Sequence, residues 1–362
     1  MRRVMGKLER NGDIRKGADD MHLATFVHIS DLHIADIDPN TGRTTDEAGA
    51  ALIWATLGWF DGLLGHSTRA LERLEQFFHQ IQRQENASLI VSGDLTRVGK
   101  QEQFDTASEY LGSRLLPPKG NHLGLSVLDW RDRAVPGNHD HWPGTATMFG
   151  PPTAALGHTF PALPFVGQPI PLGTGQHIRI IGIDTDKDVH PWGRNRGLAR
   201  GSFCSQLTDA AGQMRAPDRN EIRVLLLHHS RVHQGFSLAM DDASRDALGV
   251  FLVEQDIPVL LCGHTHVPRL KSFRVTHQGR TIEVLEACCG TTTVMDTIPY
   301  EWRTILGTRP GRTLKINTLL VHRLLKENGA IIWHTQTYFR SPFGFEVSQR
   351  IRDKRFSVWP RP

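Results

Sequence analysis

Residues 23–33 read LATFVHISDLH, a short apolar run that ends at an aspartate and a histidine. An apolar run of this length with β-branched residues predicts a buried β-strand over residues 23–30. Two residues of metal-ligand type, Asp31 and His33, follow that strand directly. Because open α/β sheets build their sites at the carboxyl ends of strands, this stretch predicts both the fold class and the position of a site.

Strand-like and helix-like segments alternate along the first 266 residues. The segment 68–84 predicts an amphipathic helix, because its large apolar residues recur every three or four positions. Further helices are predicted at 99–112, 203–215 and 242–255, and further strands at 88–92, at a segment ending near Val135, and at 177–184, 222–228 and 258–262. This alternation predicts a mostly parallel sheet covered by helices. The later predicted strands follow one another without helices, which predicts an antiparallel part of the fold; they are 269–276, 280–287, 314–323 and 330–339.

The composition predicts a globular protein with a sizeable core. Of its 362 residues, 39% are hydrophobic and 22% are charged, so the chain is not a disordered polymer. Its 42 basic and 38 acidic residues give a net charge of +4, which by itself is no nucleic-acid footprint. Four cysteines without a C-x-x-C pair, and a polar start without an apolar core segment, predict a cytoplasmic protein.

An apolar segment interrupts the pattern between the first strand and the first helix. Residues 48–65 are almost wholly apolar and include Trp54, Trp59 and Phe60. A membrane-spanning helix needs about 20 apolar residues, and this glycine-rich run is shorter and broken by an aspartate, so no transmembrane segment is predicted. The insert, about residues 36–66, is expected to form a hydrophobic lid over the site, an oligomer face or a peripheral membrane contact.

Residues of metal-ligand type follow five of the predicted strands. They stand in the motifs S-D-L-H, S-G-D-L-T, P-G-N-H-D, L-L-L-H and C-G-H-T-H, and they are Asp31, His33, Asp94, Asn138, His228, His264 and His266. Each motif alone occurs by chance in many chains, but their joint occurrence at strand ends indicates one common site. Mixed oxygen and nitrogen donors suit Mn, Fe or Zn rather than Ca²⁺. One carboxylate can bridge two such cations. The cation pair would lower the pKa of a shared water to give hydroxide and would neutralise phosphoryl charge, which favours phosphate-ester hydrolysis.

The ordered set D-x-H, G-D, G-N-H-D, H and G-H-x-H resembles the calcineurin-like metallophosphoesterases over about residues 22–295. The resemblance implies a four-layer α/β/β/α sandwich of two mixed sheets flanked by helices. It also implies a catalytic domain at residues 22–296, which follows a flexible tail at 1–21 and precedes a β-rich extension at 297–362 that completes the second sheet.

The same resemblance implies roles for the site residues and two transition-metal ions, for which Mn, Fe and Zn are the candidates. One ion would be held by Asp31, His33 and His266 and the other by Asn138, His228 and His264, with Asp94 bridging the two. His139 would stabilise the transition state or protonate the leaving oxygen, oriented by a nearby acid.

The motifs D-L-H, G-D-L-T, G-N-H-D and G-H-T-H are most similar to those of bacterial class III cyclic-nucleotide phosphodiesterases. One departure is Ser230, which follows His228 and His229 where that group has proline. The resemblance implies hydrolysis of a phosphodiester, a cyclic nucleotide among the candidates, by attack of a metal-bridging hydroxide. The alternatives are a phosphomonoesterase, a nuclease and a non-catalytic binding module of the same fold. A small phosphate ester or nucleotide is the expected partner, and nucleic acid is not favoured because no aromatic and basic groove pattern is present.

Several polar residues near the motifs allow two interpretations. Arg97 and His141 are candidates for substrate binding, because they closely follow the G-D and G-N-H-D motifs. His28 lies within the first strand and is expected to be packed, and His229 is expected to support the ligands without binding metal. The three arginines of the loop 194–200 either bind phosphate or face water, and the second interpretation is favoured.

Overall fold

The computed structural model describes residues 21–37, 65–113, 123–294 and 317–360. The predictions for the N-terminal tail, for most of the apolar insert with its aromatic residues, and for the start of the C-terminal extension lie outside these ranges. The strands are β1 Met21–Ile29, β2 Ser88–Val91, β3 Phe165–Val166, β4 Ile170–Pro171, β5 His177–Gly182, β6 Glu221–Leu226, β7 Val259–Cys262, β8 Arg269–His277, β9 Arg280–Cys288, β10 Thr318–Glu327, β11 Ala330–Ser341, β12 Gly344–Val347 and β13 Lys354–Trp359. The helices are α1 Thr68–Glu85, α2 Gln101–Gly112, α3 Ala154–Thr159, α4 Arg194–Gly197, α5 Cys204–Gln213 and α6 Asp242–Glu254.

The strands form two mixed sheets. In the first sheet the order is β12-β11-β10-β1-β2, and β13 also pairs with β11. Strands β1 and β2 are parallel, whereas β10 is antiparallel to β1. In the second sheet the order is β3-β5-β6-β7-β9-β8, with β5, β6, β7 and β9 parallel and β4 paired to β5. The C-terminal strands β10 to β13 therefore complete the sheet that begins with β1.

Three apolar cores separate four layers of secondary structure. Helices α1 and α2 pack on the outer face of the first sheet, where Val27 and Ile29 of β1 meet Leu74 and Phe78 of α1. The two sheets pack face to face in a second core, and α5 and α6 cover the outer face of the second sheet in a third. Neighbouring residues of one strand point to opposite faces, so Phe26 lies between the sheets while Val27 lies under the helices. The predicted α/β/β/α sandwich of two mixed sheets is confirmed.

Helix α1 illustrates how local sequence fixes an element. The side chain of Ser67 accepts a hydrogen bond from the backbone N–H of Ala70, which caps the first turn. Asn86 adopts a left-handed conformation with φ of 50° and ends the helix. The apolar stripe in between is buried against the sheet, as the spacing predicts. The structure contains no helix, within the described ranges, that is long and apolar enough to cross a membrane.

The predicted strand near Val135 differs from the structure, and so does the segment 143–175, whose seven prolines and several glycines are typical of a long surface loop. A short 3-10 turn at Trp130–Arg133 leads to a single bridge between Ala134 and Val91, and Pro136 then has no N–H with which to extend the ladder. The segment 143–175 is not all loop, because it contains α3 and the two-residue strands β3 and β4, which pair with β5. Local periodicity predicts neither the single bridge nor the two-residue strands, because each of them depends on a pairing partner that is distant in sequence.

Candidate metal centre

Six of the seven predicted ligand residues lie at the carboxyl ends of four strands that belong to both sheets, and the seventh, Asn138, follows the single bridge at Ala134. Asp31 and His33 follow β1 and Asp94 follows β2, both of the first sheet. His228 follows β6, and His264 and His266 follow β7, both of the second sheet. The centre therefore lies at the side of the sandwich where the carboxyl ends of strands from both sheets come together.

A first donor group consists of four buried side chains whose donor atoms all lie within 4.8 Å of one another; they are Asp31, His33, Asp94 and His266. Nε2 of His266 is 3.2 Å from Oδ1 of Asp31, and Nε2 of His33 is 3.4 Å from Oδ2 of Asp94. Each of these atoms is a ligand type that transition metals accept.

A second donor group meets the same spacing and consists of Asp94, His228 and His264. Nε2 of His228 lies 3.3 Å from Oδ2 of Asp94 and 3.2 Å from Nδ1 of His264. Oδ1 of Asn138 lies 3.2 Å from the same His228 nitrogen, so the amide oxygen joins this group. Asp94 is the residue common to both groups, and its Oδ2 faces a histidine of each.

The donor set fits a pair of transition-metal ions. Both ring nitrogens of His33 are buried and make no hydrogen bond to the described residues. Buried polar atoms without a partner are rare in folded proteins, and an imidazole nitrogen at a carboxylate cluster is an expected metal ligand. Aspartate and asparagine oxygens combined with imidazole nitrogens favour Mn, Fe or Zn.

Electrostatic interactions in the cluster shift the pKa values of Asp94 and His228 in opposite directions. Burial alone would raise the pKa of Asp94, but the charges of His228 and His139 and a hydrogen bond from His228 hold it well below its ordinary value. Burial alone would lower the pKa of His228, but the Asp94 carboxylate raises it to about 10. A cation in the second donor group competes with this proton, because a ligating imidazole is neutral.

Close backbone packing brings the loops of the centre together. Five of the ligand candidates have left-handed backbone conformations; they are Asp31, His33, Asp94, His264 and His266, with φ between 49° and 71°. The N–H of Asp31 donates to the carbonyl of Gly93, and that of His33 donates to the carbonyl of Asp94, both at 3.0 Å. A Cβ on Gly137 would lie only 2.3 Å from Oδ1 of Asp94, so this position has room for glycine alone.

His139 stands next to the first donor group. Its ring centroid is 4.4 Å from that of His33, and the ring stacks on Trp142 at a centroid distance of 4.2 Å. Its Nδ1–H donates to the backbone carbonyl of Arg97 at 2.8 Å, which places the proton of the neutral ring on Nδ1. The expectation of an orienting acid is thus wrong, because a carbonyl occupies that place.

Asp140 is a structural residue of the centre that the sequence analysis missed. Its carboxylate accepts hydrogen bonds from the backbone N–H groups of Leu95, Thr96 and Gly137 and from Oγ1 of Thr96, at 2.8–3.1 Å. These bonds join the G-D-L-T loop to the G-N-H-D loop. The sequence contained an indication of this role, because Asp140 is the last residue of the G-N-H-D motif. A carboxylate next to loop N–H groups commonly accepts hydrogen bonds from them and so connects the loops.

The remaining candidates lie around the donor groups. Nε2 of His141 pairs with Oδ1 of Asp184 at 2.9 Å, so this ring is held outside both groups. His229 is also outside them, with its ring centroid 4.1 Å from that of His264, as predicted for a supporting residue. Arg97 is half-buried. Its backbone carbonyl accepts the hydrogen bond from Nδ1 of His139. His28 is packed, with hydrogen bonds to Ser92 and to a second histidine.

Arg196 and Ser230 occupy places that the sequence did not indicate. Arg196 is buried rather than facing water, and its guanidinium interacts electrostatically with the carboxylates of Asp186 and Asp184. Ser230, which replaces the proline of the motif, donates through Oγ to the buried carboxylate of Glu286 at 2.5 Å. Glu286 also accepts from the next two backbone N–H groups, so hydrogen bonds fix the turn after His228 in place of a proline ring.

This arrangement is that of a metallophosphoesterase, in which a two-sheet sandwich brings aspartate and histidine donors to a shared edge. The chain belongs to the calcineurin-like phosphoesterase family, whose model matches residues 24–268. No curated protein matches the chain. Among solved structures, GAP50, the anchor in the inner membrane complex of Plasmodium, is similar with a TM-score of 0.47 and 12% identity over 94% of this chain and 90% of that chain. Vps29 of Chaetomium thermophilum is similar with a TM-score of 0.33 and 10% identity over 93% of this chain and 98% of that chain.

Proposed function

We propose that this protein is a dinuclear-metal phosphoesterase that hydrolyses a phosphodiester. The observation that supports this most directly is that two buried donor groups share Asp94. A single shared carboxylate is the arrangement that holds two cations close enough to act on one phosphoryl group, about 3.5–4 Å apart.

The proposed ligand roles follow the two groups. One ion is assigned to Asp31, His33 and His266, the other to Asn138, His228 and His264, and Asp94 is the bridge. When bound, two such cations supply an activated water and neutralise the charge that develops on the phosphoryl oxygens. The native pair is proposed to be drawn from Mn, Fe and Zn, for which this donor set is suited.

His139 is proposed to assist the leaving oxygen. The carbonyl of Arg97 fixes its tautomer by accepting from Nδ1, so Nε2 is the atom that holds or transfers the proton. Stacking on Trp142 keeps the ring in one plane beside His33. A positioned imidazole of this kind contributes roughly 100-fold to 10,000-fold to a hydrolysis.

We further infer that the diester is a small molecule, with nucleotides, cyclic or linear, as the first candidates. The support is the likeness of four motifs to those of cyclic-nucleotide phosphodiesterases, together with the lack of a groove pattern for single-stranded nucleic acid in the sequence. Phosphomonoester hydrolysis, nuclease activity and a non-catalytic binding role are the alternatives that the experiment separates.

The test is turnover of bis-p-nitrophenyl phosphate by the full chain with added Mn²⁺. We expect Asp94→Ala to lose metal and His139→Ala to lower kcat by at least about 100-fold while it keeps its metal, because the two residues have different roles. The matched controls are Asp209→Ala and His158→Ala, which change exposed residues outside the centre. Thermal unfolding of each variant checks that the fold is intact.

The substrate panel decides between the alternatives. Faster turnover of p-nitrophenyl phosphate than of the diester would favour a monoesterase, and cleavage of single-stranded DNA would favour a nuclease. A wild-type protein that binds two Mn²⁺ and hydrolyses none of these substrates would contradict the proposal and favour a binding module.

A further inference from the structure

Three consecutive threonines contact the metal-ligand loop at residues 30–35, and the proposed chemistry does not use them. They are Thr291, Thr292 and Thr293, which we call the threonine triplet, and all three are completely buried. The triplet follows β9 of the second sheet, whereas the ligand loop follows β1 of the first sheet. A buried hydroxyl costs free energy unless it forms hydrogen bonds, so the partners of these side chains indicate what the triplet does.

The outer two threonines donate hydrogen bonds to backbone carbonyls of the ligand loop. Oγ1 of Thr291 donates to the carbonyl of Asp31 at 3.0 Å. Oγ1 of Thr293 donates to the carbonyl of Leu32 at 2.6 Å. These two carbonyls belong to the two peptide bonds that connect Asp31 to His33, so both threonines act on the backbone between two of the proposed metal ligands.

The central threonine and a buried histidine hold the two ends of the loop. Thr292 forms two hydrogen bonds with Ser30, because its Oγ1 accepts from the Ser30 N–H at 3.1 Å and its own N–H donates to the Ser30 carbonyl at 3.0 Å. At the other end of the loop, Nδ1 of His66 accepts from the N–H of Ala35 at 3.0 Å. The ligand loop is therefore bonded along its length, from its first residue to its last.

The backbone of the loop that contains Asp94 supplies the partners of three further N–H groups. Those of Asp31, His33 and Ile34 donate to three successive carbonyls of residues 93–95, at 2.8–3.0 Å. Asp31 and His33 both have left-handed backbone conformations, with φ of 53° and 49°. Such conformations persist only where the surroundings fix them, and here the N–H groups are fixed by one loop and the carbonyls by the triplet.

We propose that the threonine triplet positions Asp31 and His33 and thereby sets the affinity of the first donor group for its ion. The inference rests on the proposed function, because it assigns a role toward one ion of the proposed dinuclear centre. Asp31 and His33 belong to the first donor group, whereas the members of the second group come from other loops. The triplet therefore acts mainly on one of the two ions. The rigid χ1 angle of threonine keeps each hydroxyl aimed at its carbonyl.

The experiment measures Mn²⁺ binding to the metal-free full chain by isothermal titration calorimetry. Thr293→Val keeps the shape of the side chain and removes the hydroxyl. We expect it to weaken one of two Mn²⁺ sites by about 10-fold to 100-fold, the usual effect of removing a group that supports a metal ligand, and to change the other site by less than about threefold. Thr293→Ser retains the hydroxyl and is expected to restore most of the lost affinity.

The matched control is Thr337→Val in β11. Thr337 is also buried, but its Oγ1 makes no hydrogen bond to the described residues, so valine removes none there. This control is expected to bind Mn²⁺ as the wild type does. A second variant, Thr291→Val, removes the bond to the carbonyl of Asp31 and keeps the inference testable if Thr293→Val does not fold.

Two backgrounds show which ion the triplet affects. His264→Ala removes a ligand of the second group, so the remaining ion reports on the first group, and adding Thr293→Val is expected to weaken it. His33→Ala removes a ligand of the first group, and the ion that remains is expected to bind equally with and without Thr293→Val. Thermal unfolding of each metal-free variant separates a loss of stability from a loss of metal affinity.

Three outcomes decide the inference and the proposed function separately. Wild-type Mn²⁺ affinity in both valine variants would overturn the inference while the dinuclear centre stands. A loss of affinity in Thr293→Val that Thr293→Ser does not restore would also overturn it, because the hydroxyl would not be the cause. The expected binding pattern in a protein that hydrolyses no phosphate ester would instead overturn the proposed function and leave the positioning role in place.

Discussion

Several non-glycine residues in the loops of the metal centre adopt a left-handed backbone conformation, which glycine adopts most easily. A left-handed conformation costs roughly 1–2 kcal/mol for an ordinary residue, and Asp31, His33 and Asp94 all adopt it. Hydrogen bonds from their backbone and from neighbouring loops hold them there, for example from the N–H of His264 to Oδ2 of Asp31 at 3.2 Å. Strain of this kind collects at functional sites, where it sets the direction in which a ligand atom points.

The variant Gly137→Ala tests whether close packing around Asp94 is needed for stability and metal binding. Its added Cβ in Gly137→Ala would meet Oδ1 and the backbone nitrogen of Asp94 at 2.3 and 2.6 Å, so the shared carboxylate must move. We expect a loss of about 1–3 kcal/mol of unfolding free energy and bound Mn²⁺ well below the wild-type content, as measured by denaturant unfolding and elemental analysis.

The control for that variant is Gly212→Ala in α5, where an added Cβ meets nothing within 4 Å. It should keep full metal content and gain about 0.5–1 kcal/mol, because alanine suits a helix better than glycine. Wild-type metal content in Gly137→Ala would show that the close packing at this turn is dispensable.

At the scale of elements, a charged pair ties the end of α1 to the first sheet. Both carboxylate oxygens of Glu85 accept from the Arg323 guanidinium of β10, at 2.7 and 2.8 Å, and Thr25 of β1 donates to one of them at 2.7 Å. Burial alone would raise the pKa of Glu85, but these hydrogen bonds and the Arg323 charge hold it below its ordinary value of 4.5. The helix, β1 and β10 are thus joined at one carboxylate.

This pair predicts a pH-dependent contribution to stability. Because the pKa of Glu85 is lower in the folded state than in the unfolded state, its stabilisation is present above pH 4.5 and is lost as the pH falls through the folded value. Glu85→Gln should therefore cost about 1 kcal/mol at pH 7 and progressively less below about pH 4.5 in urea unfolding. The exposed Glu72→Gln on the same helix should change the free energy by less than about 0.5 kcal/mol. A Glu85→Gln cost that is constant with pH would refute the role of the pair.

For the whole molecule, the metal centre joins the two sheets. Asp31, His33 and Asp94 come from the first sheet, and the three histidines after β6 and β7 come from the second. Cations held by the two donor groups would therefore link the two halves of the sandwich across its edge, in addition to the apolar core between the sheets.

This linkage predicts that metal stabilises the entire fold. A ligand that binds only the folded state at 100 times its Kd adds about 2.7 kcal/mol to the unfolding free energy, so Tm should rise with free Mn²⁺ and fall after chelation. Asp94→Ala should lose most of the rise, and Asp209→Ala should keep it. A Tm that is the same with Mn²⁺ and with chelator would argue against ions that bridge the sheets.

The order of elements could be predicted from the sequence because periodicity is a local property. The apolar runs before Asp31, Asp94 and His228 predicted buried strands, and parallel strands place their carboxyl ends at one edge, so donor residues were expected to meet there. The structure brings the aspartates and histidines of that set into two donor groups, with Asn138 beside the second, and the four-layer sandwich is as predicted.

Contacts between distant residues were decided only by the tertiary structure. These are the hydrogen bond from His139 to the carbonyl of Arg97, the burial of Arg196, the hydrogen bonds that Asp140 accepts, and the pairing of β10 to β13 with the sheet of β1. Each depends on which groups meet after the chain has closed long loops, and a hydrogen bond forms with whichever partner the packing presents. Sequence periodicity specifies which face of a strand is apolar, whereas the partner of a buried polar atom follows from the packed arrangement as a whole.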